Sequence, residues 1–160
     1  MARKIPEFED FFDDLEMIAR ELNNTHIEYG YPKNTIHQAS GLPTATIADY
    51  MQNGVMSQDG GWHIPPRRFM TEAELLNEDT TKNMLYDLSN AILTGKKLNV
   101  TRVLKKVGKA SADDVRAAIL YGTYTPLKPS TIAQKGHSTP LIETEQLYDD
   151  ADYKIVKGEE

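Results

Sequence analysis

The sequence predicts an α+β fold: a strand pair supplied by the two ends of the chain, with helices between. Three observations lead there. Strand-like segments lie near the two ends, His26 to Tyr31 and Asp152 to Val156, while most of the chain between them has helical hydrophobic periodicity. Helices and strands do not alternate as in a βαβ series, and there is no internal repeat or low-complexity segment. The length, 160 residues, suits one domain over 1–160, enough to bury roughly 70% of the unfolded surface without disulfides or metal.

Within an acidic N-terminal segment, 1–23, residues Phe8, Phe11, Phe12, Leu15, Ile18, Ala19 and Leu22 recur at helical steps. Acidic residues crowd its first turns, where they suit the helix dipole. Asn23 and Asn24 stop this helix, and the first strand then runs to Pro32, with Thr35 to Gln38 continuing the sheet. A short helix from about 44 to 53 follows, with Thr44 as N-cap, Ile47, Tyr50 and Met51 as its buried stripe and Gly54 as its stop. Residues 56–70 read as a loop because Gly60, Gly61, Pro65 and Pro66 oppose regular structure.

A long helix is expected between Thr71 and Leu93, burying Ala73, Leu76, Met84, Leu85, Leu88, Ala91 and Ile92. Two more follow, Asn99 to Val107 and Ser111 to Tyr121, broken at Gly108, with Ser111, Asp113 and Asp114 opening the second. Residues 122–142 form a Pro-rich loop with a short helix begun at Ser130. Residues 143–160 supply another short helix and the terminal strand.

The formal net charge is −6, with 18 basic against 24 acidic residues, unlike the basic balance of a dedicated nucleic-acid-binding domain. No apolar run approaches the roughly 20 residues of a membrane span, so no membrane association is expected. Arg3 and Lys4 lead into acidic rather than apolar sequence, so no secretory leader is expected. With no cysteine, thiolate zinc sites and thiol nucleophiles are excluded. His26, His37, His63 and His137 show no metal-ligand spacing, and no Gly-rich phosphate loop occurs. No nucleophile, base and orienting group fall into a recognisable pattern. The expectation is a protein that is not an enzyme and uses no cofactor or metal.

Three segments are candidate binding surfaces. The first, residues 95–109, holds Lys96, Lys97, Arg102, Lys105, Lys106 and Lys109 with no acid, whereas 143–160 holds seven acids against Lys154 and Lys157. Either the two are complementary between copies of the chain, or the basic one faces an acidic partner, or it is simply a solvated helix face. The second is residues 39–54, whose outline is that of a helix-turn-helix, although its reading helix carries Asp49 and no Lys or Arg. The third is an extended loop in which Pro65 and Pro66 fix the backbone; either Arg67 and Arg68 project donors with Ile64 and Phe69 as anchors for a partner, or the loop folds on its own domain through Trp62 and Phe69.

Three motif segments resemble the tail-completion or minor tail-component proteins of long-tailed bacteriophages, which join tail to head at the neck. One is the short helix from Ala45 to Gly54, and the next is Ile64 to Met70. The last runs from Pro126 to Gly136, continues from Thr139 to Leu147, and leads into the final strand. Arg68 stands where the family usually has Pro, and Glu143 and Glu145 where it has Asp and Gly. The resemblance implies an α+β fold with a small antiparallel sheet flanked by helices, and a non-enzymatic virion protein of the head-tail junction, made in the host bacterial cytoplasm. It implies a homo-oligomeric ring, six-fold in preference to twelve-fold, that meets other neck, connector and tail proteins while genome DNA passes through its lumen without sequence-specific binding. Against it stands a DNA-associated regulator acting through 39–54 or 96–109.

Overall fold

The computed structural model describes residues 8–94, 96, 99–142 and 145–158. Its elements are α1 (Phe8–Asn23), β1 (Thr25–Gly30), α2 (Thr44–Asn53), β2 (Val55–Met56), β3 (Trp62–Ile64), α3 (Phe69–Leu93), α4 (Val100–Tyr121), α5 (Pro129–Lys135), α6 (Gln146–Asp149) and β4 (Asp152–Lys157). The architecture is mixed helix and sheet, as expected, with two small antiparallel sheets: β1 with β4, and β2 with β3.

The sheet joining the chain ends follows from alternation. Ile27 lies opposite Ile155 and Tyr29 opposite Tyr153, all partly buried on the face that packs against α4. His26 and Glu28 are exposed, and Glu28 pairs across the strands with Lys154 at 3.8 Å. Strand residues directly opposite share a face, so one apolar and one charged row is what a half-covered antiparallel pair requires. Lys33 also pairs with Asp152 at the end of this ladder.

Helix α4 is the central element, packing on both strands and along α3. It runs unbroken through Gly108, where the sequence predicts a break between two helices. Asn99 caps its start by accepting from the Arg102 backbone N–H at 2.8 Å. Gly108 is buried beneath the ring of Tyr153, and a Cβ there would fall within that ring. The glycine therefore serves close approach of β4. Ser111 opens no new helix; its hydroxyl donates to the Val107 carbonyl at 3.0 Å and accepts from Asn77 of α3 at 2.9 Å.

The core gathers Ala48 of α2, Phe69 and Ala73 of α3, Val115, Ala118 and Ile119 of α4, and Leu141, Leu147 and Ala151 near the C-terminus. Helix α1 buries Ile18 and half-buries Phe11, Leu15 and Leu22, whereas Phe12 and Ala19 are exposed; the Phe8 side chain lies outside the described set. In α3 the expected Ala73 and Leu88 are buried, but Leu76 and Leu85 are exposed, because α4 covers only one side of this helix.

Other expectations need correcting. Thr35 to Gln38 adds no strand; a single bridge joins Ile36 to Pro43 within a turn. Pro43, not Thr44, occupies the N-cap of α2, and the fully buried Thr44 hydroxyl donates to Asp150 at 2.8 Å. Tyr50 is exposed rather than part of a buried stripe. The presumed loop 56–70 contains the β2–β3 hairpin, whose strands are too short for a periodicity signal.

Two outcomes test this packing. Alanine normally stabilises a helix over glycine by roughly 0.5–1 kcal/mol, yet Gly108→Ala should destabilise by about 1–3 kcal/mol through overpacking against Tyr153. Thermal unfolding of G108A and of G108A combined with Tyr153→Ala separates these effects: in the Y153A background the alanine should become neutral or stabilising. The second outcome concerns Asp114, whose Oδ2 is buried without a partner among the described residues. Burial, and next the Asp113 charge, hold its carboxyl above the ordinary value. A raised folded-state value means the native state binds the proton more tightly, so this group's contribution to stability falls as pH rises from the ordinary carboxylate range through the folded-state value. Asp114→Asn should therefore raise Tm relative to the parent more at pH 7 than at pH 3.5. Asp152, held below its ordinary value first by Lys33, works in the opposite sense, its contribution fading as pH falls.

Candidate functional site

After α2 the chain reverses tightly. Gly54 has φ 77°, and a Cβ there would collide with the Trp62 ring, the Ile64 carbonyl and the Pro66 ring. The β2–β3 hairpin thus folds back against the end of α2. The Arg67 backbone N–H then donates to the Met51 carbonyl at 2.7 Å. Gln52 completes the junction, its Oε1 accepting from the Met70 N–H at 2.9 Å and its Nε2 donating to the Thr71 hydroxyl at 3.1 Å. A side chain of α2 thereby satisfies one of the N–H groups that the first turn of α3 leaves unpaired.

Of the two readings of the loop, Phe69 follows the one in which it folds on its own domain, Trp62 stays half-exposed, and Arg67, read as a projecting donor, turns inward while Arg68 projects. Arg67 is 5% exposed and Phe69 0% exposed, so neither projects as a surface donor or anchor. Phe69 enters the core, edge-to-face with Tyr31 at a centroid distance of 6.4 Å. Tyr31 donates to the Leu147 carbonyl at 2.7 Å, and burial pushes its hydroxyl pKa far up. Arg67 Nε donates to the Thr125 carbonyl at 3.3 Å, and Nη1 lies 3.8 Å from Met51 Sδ. No carboxylate meets this guanidinium among the described residues, and burial alone lowers its pKa from the ordinary arginine value. It still carries its charge at neutral pH.

Arg67 joins three separated parts of the chain. Met51 belongs to the 45–54 segment, Arg67 to the 64–70 segment, and Thr125 leads directly into the 126–136 segment. Lys128 Nζ, in the third segment, reaches the Trp62 carbonyl at 3.5 Å, in the strand that leads into the second. Leu141 and Leu147 bring the remainder of that segment into the core. Two hollows flank Arg67: a small one of about 30 Å³ that includes His37 and Leu141, and a larger one of about 180 Å³ that includes His63, Lys128 and Thr131.

The remaining sequence candidates fall into two groups. Ile64, Pro65 and Pro66 are half-buried beside Arg67, and Arg68 is exposed. Lys96, Arg102, Lys105, Lys106 and Lys109 are all exposed, and no ion pair engages them among the described residues. The last four fall at three- and four-residue steps, forming one stripe on α4. Lys97 lies outside the described residues. The loop and the stripe come from different elements, and no hydrogen bond or ion pair links their described residues.

The acidic end is partly consumed by the fold. Asp150 accepts from Thr44 and from Gln146 at 3.1 Å, and Asp152 pairs with Lys33. The helix-turn-helix outline of 39–54 is also corrected. Residues 38–40 form a turn and 41–42 a bend before α2, so a first helix is missing, and α2 exposes Asp49 and Tyr50. Gln52 and Thr125 escaped the sequence reading, and Met51 was placed only in a buried stripe, since their roles here arise only once the hairpin folds back. Among the described residues no group of three or more His, Cys, Asp or Glu side chains could hold a metal ion, and no helix is long and apolar enough to cross a membrane.

Searches of family models, curated proteins and solved structures find no match to this chain.

The two neighbouring arginines should separate sharply on mutation. Arg67→Glu places a carboxylate where the backbone carbonyl of Thr125 now accepts, and should cost about 3 kcal/mol or more. Arg68→Glu, on an exposed side chain, should stay within about 0.5 kcal/mol. Urea unfolding of both variants measures the difference; equal, small effects would mean that Arg67 holds no segments together.

Proposed function

We propose that this chain is a structural component of the neck of a long-tailed bacteriophage, a ring-forming protein that completes the tail and meets the head connector. The observation that carries this reading is the convergence at Arg67. The third segment is far in sequence from the first two, which lie close together, yet Ala48, Phe69, Leu141 and Leu147, drawn from all three, share one buried cluster, and Arg67 reaches from the second segment to Met51 of the first. Chance likenesses scattered along a chain have no reason to meet in space.

Two surfaces support an assembling rather than a catalytic role. Leu75, Tyr86 and Leu93 are 65%, 69% and 75% exposed and recur along one line of α3. Several large apolar side chains aligned on a helix mark a contact surface. The basic stripe of α4 and the acidic exposed residues of α1 (Asp10, Asp13, Asp14 and Glu16) supply opposite charges on one subunit, as the two unlike faces of a head-to-tail ring interface require. The same stripe favours the second reading, a DNA-associated protein; phosphate contacts would make that binding fall steeply with salt.

Immunogold electron microscopy of purified particles of the encoding phage tests the first reading, with label expected at the head-tail junction. Particles competent for antibody but bare of label, with the protein confined to the lysate, would overturn it and send the question to salt-dependent gel-shift assays. In the same phage, replacing Arg102, Lys105, Lys106 and Lys109 together by Glu should leave a folded subunit by circular dichroism while unjoined heads and tails accumulate. Normal yields of joined particles would remove the stripe from the interface.

A further inference from the structure

We infer that the cleft beside Arg67 is an oxyanion-binding site, taking a carboxylate or a phosphate group, whether or not the chain is a neck protein. The cleft measures about 180 Å³, room enough for such a group with water, and lies between the β3–α3 connection and α5. Arg67, Lys128 and His63 line it together with the Thr131 hydroxyl, and among the described residues no Asp or Glu does. Two cationic side chains and a hydroxyl facing one hollow are the inverse of a neutral packing defect.

Arg67 is the decisive group. Its guanidinium has five N–H donors, and the described residues offer it one carbonyl, at 3.3 Å, and one thioether sulfur. At 5% exposure it is largely withdrawn from bulk water, yet no carboxylate meets it among the described residues. A buried cation in that state gains most from an anion that accepts two of its parallel N–H groups, the geometry carboxylates and phosphates present. Lys128 sits at the rim, half-committed to the Trp62 carbonyl at 3.5 Å and near Asp59, whose carboxylate is already taken by Ser57 and the Gly61 N–H. The anion has two sources, a free ion or small molecule and a carboxylate side chain from a second copy, and both make the same contacts.

The test titrates inorganic phosphate and, separately, acetate into the full chain at constant ionic strength set with chloride, following the Arg67 Nε–H signal by NMR. A saturable shift specific to the oxyanions is expected, with affinity weakened about three- to tenfold in Lys128→Ala. Thr131→Val should weaken it less, and neither variant depends on removing Arg67, whose loss would perturb the fold. Sedimentation of the same samples separates the sources. Self-association that phosphate and K128A both reverse identifies a neighbour's carboxylate; saturable binding to a protein whose mass phosphate leaves unchanged identifies a free anion. A response no larger than that to chloride, or an affinity that K128A leaves unaltered, overturns the site.

Discussion

The pairing of Thr25–Gly30 with Asp152–Lys157 is the constraint on which the rest of the molecule depends. It closes nearly the whole chain into one loop, at an entropic cost that rises only logarithmically with loop length. What makes closure worthwhile is the surface it creates. Tyr29, Ile27, Tyr153 and Ile155 together form the floor on which α4 lies, and Gly108 lets Tyr153 seat beneath that helix. The C-terminal segment then reaches back repeatedly: Gln146 donates to the Ile36 carbonyl, Asp150 accepts from Thr44, and the Leu147 carbonyl accepts from Tyr31. Each contact spans most of the sequence, so none can form before the ends meet. Such a topology folds more slowly than a bundle built from local contacts.

Arg67 is the second organising element, and its burial runs against the usual preference of charged groups for water. A buried guanidinium without a carboxylate is weak evidence for stability. Its value lies in geometry. The backbone N–H ties the loop to α2, the side chain crosses to Thr125, and the next turn of chain delivers Phe69 into the core. A shorter or uncharged side chain would fill some of the volume but would not carry a directed donor to the carbonyl just ahead of the Pro126–Pro129 stretch.

Much of the helical and strand layout was legible from hydrophobic period alone. The 44–53 helix and the two terminal strands appear nearly where alternation and capping chemistry put them. What was not legible depended on partners distant in sequence. Gly108 reads as a break because glycine weakens a helix, and only the position of Tyr153 shows why a bare Cα is required there. The hairpin was hidden because strands of two and three residues carry no alternation. Of the candidate site, the basic stripe on α4 is exposed as its helical spacing implies, whereas Arg67 reads as a surface donor through the company of two prolines and a second arginine. The pair looks equivalent on paper; α2, which offers a carbonyl and a sulfur to one member and nothing to the other, is what divides it.

On the proposed reading, that division bears on how copies of the chain would meet. Cations on the α4 stripe are hydrated, so approaching acidic residues gain mainly in encounter rate and orientation, and salt weakens the gain. The cleft at Arg67 behaves differently, since its cation has already lost most of its water during folding. An anion entering it loses its own hydration, but much of the guanidinium's desolvation has already taken place, which favours a directional contact over a steering one. A surface of hydrated charges that orients, beside a recessed charge that locks, is an arrangement suited to an interface assembled in a fixed register. The aligned Leu75, Tyr86 and Leu93 add apolar area, the component of affinity that neither set of charges supplies.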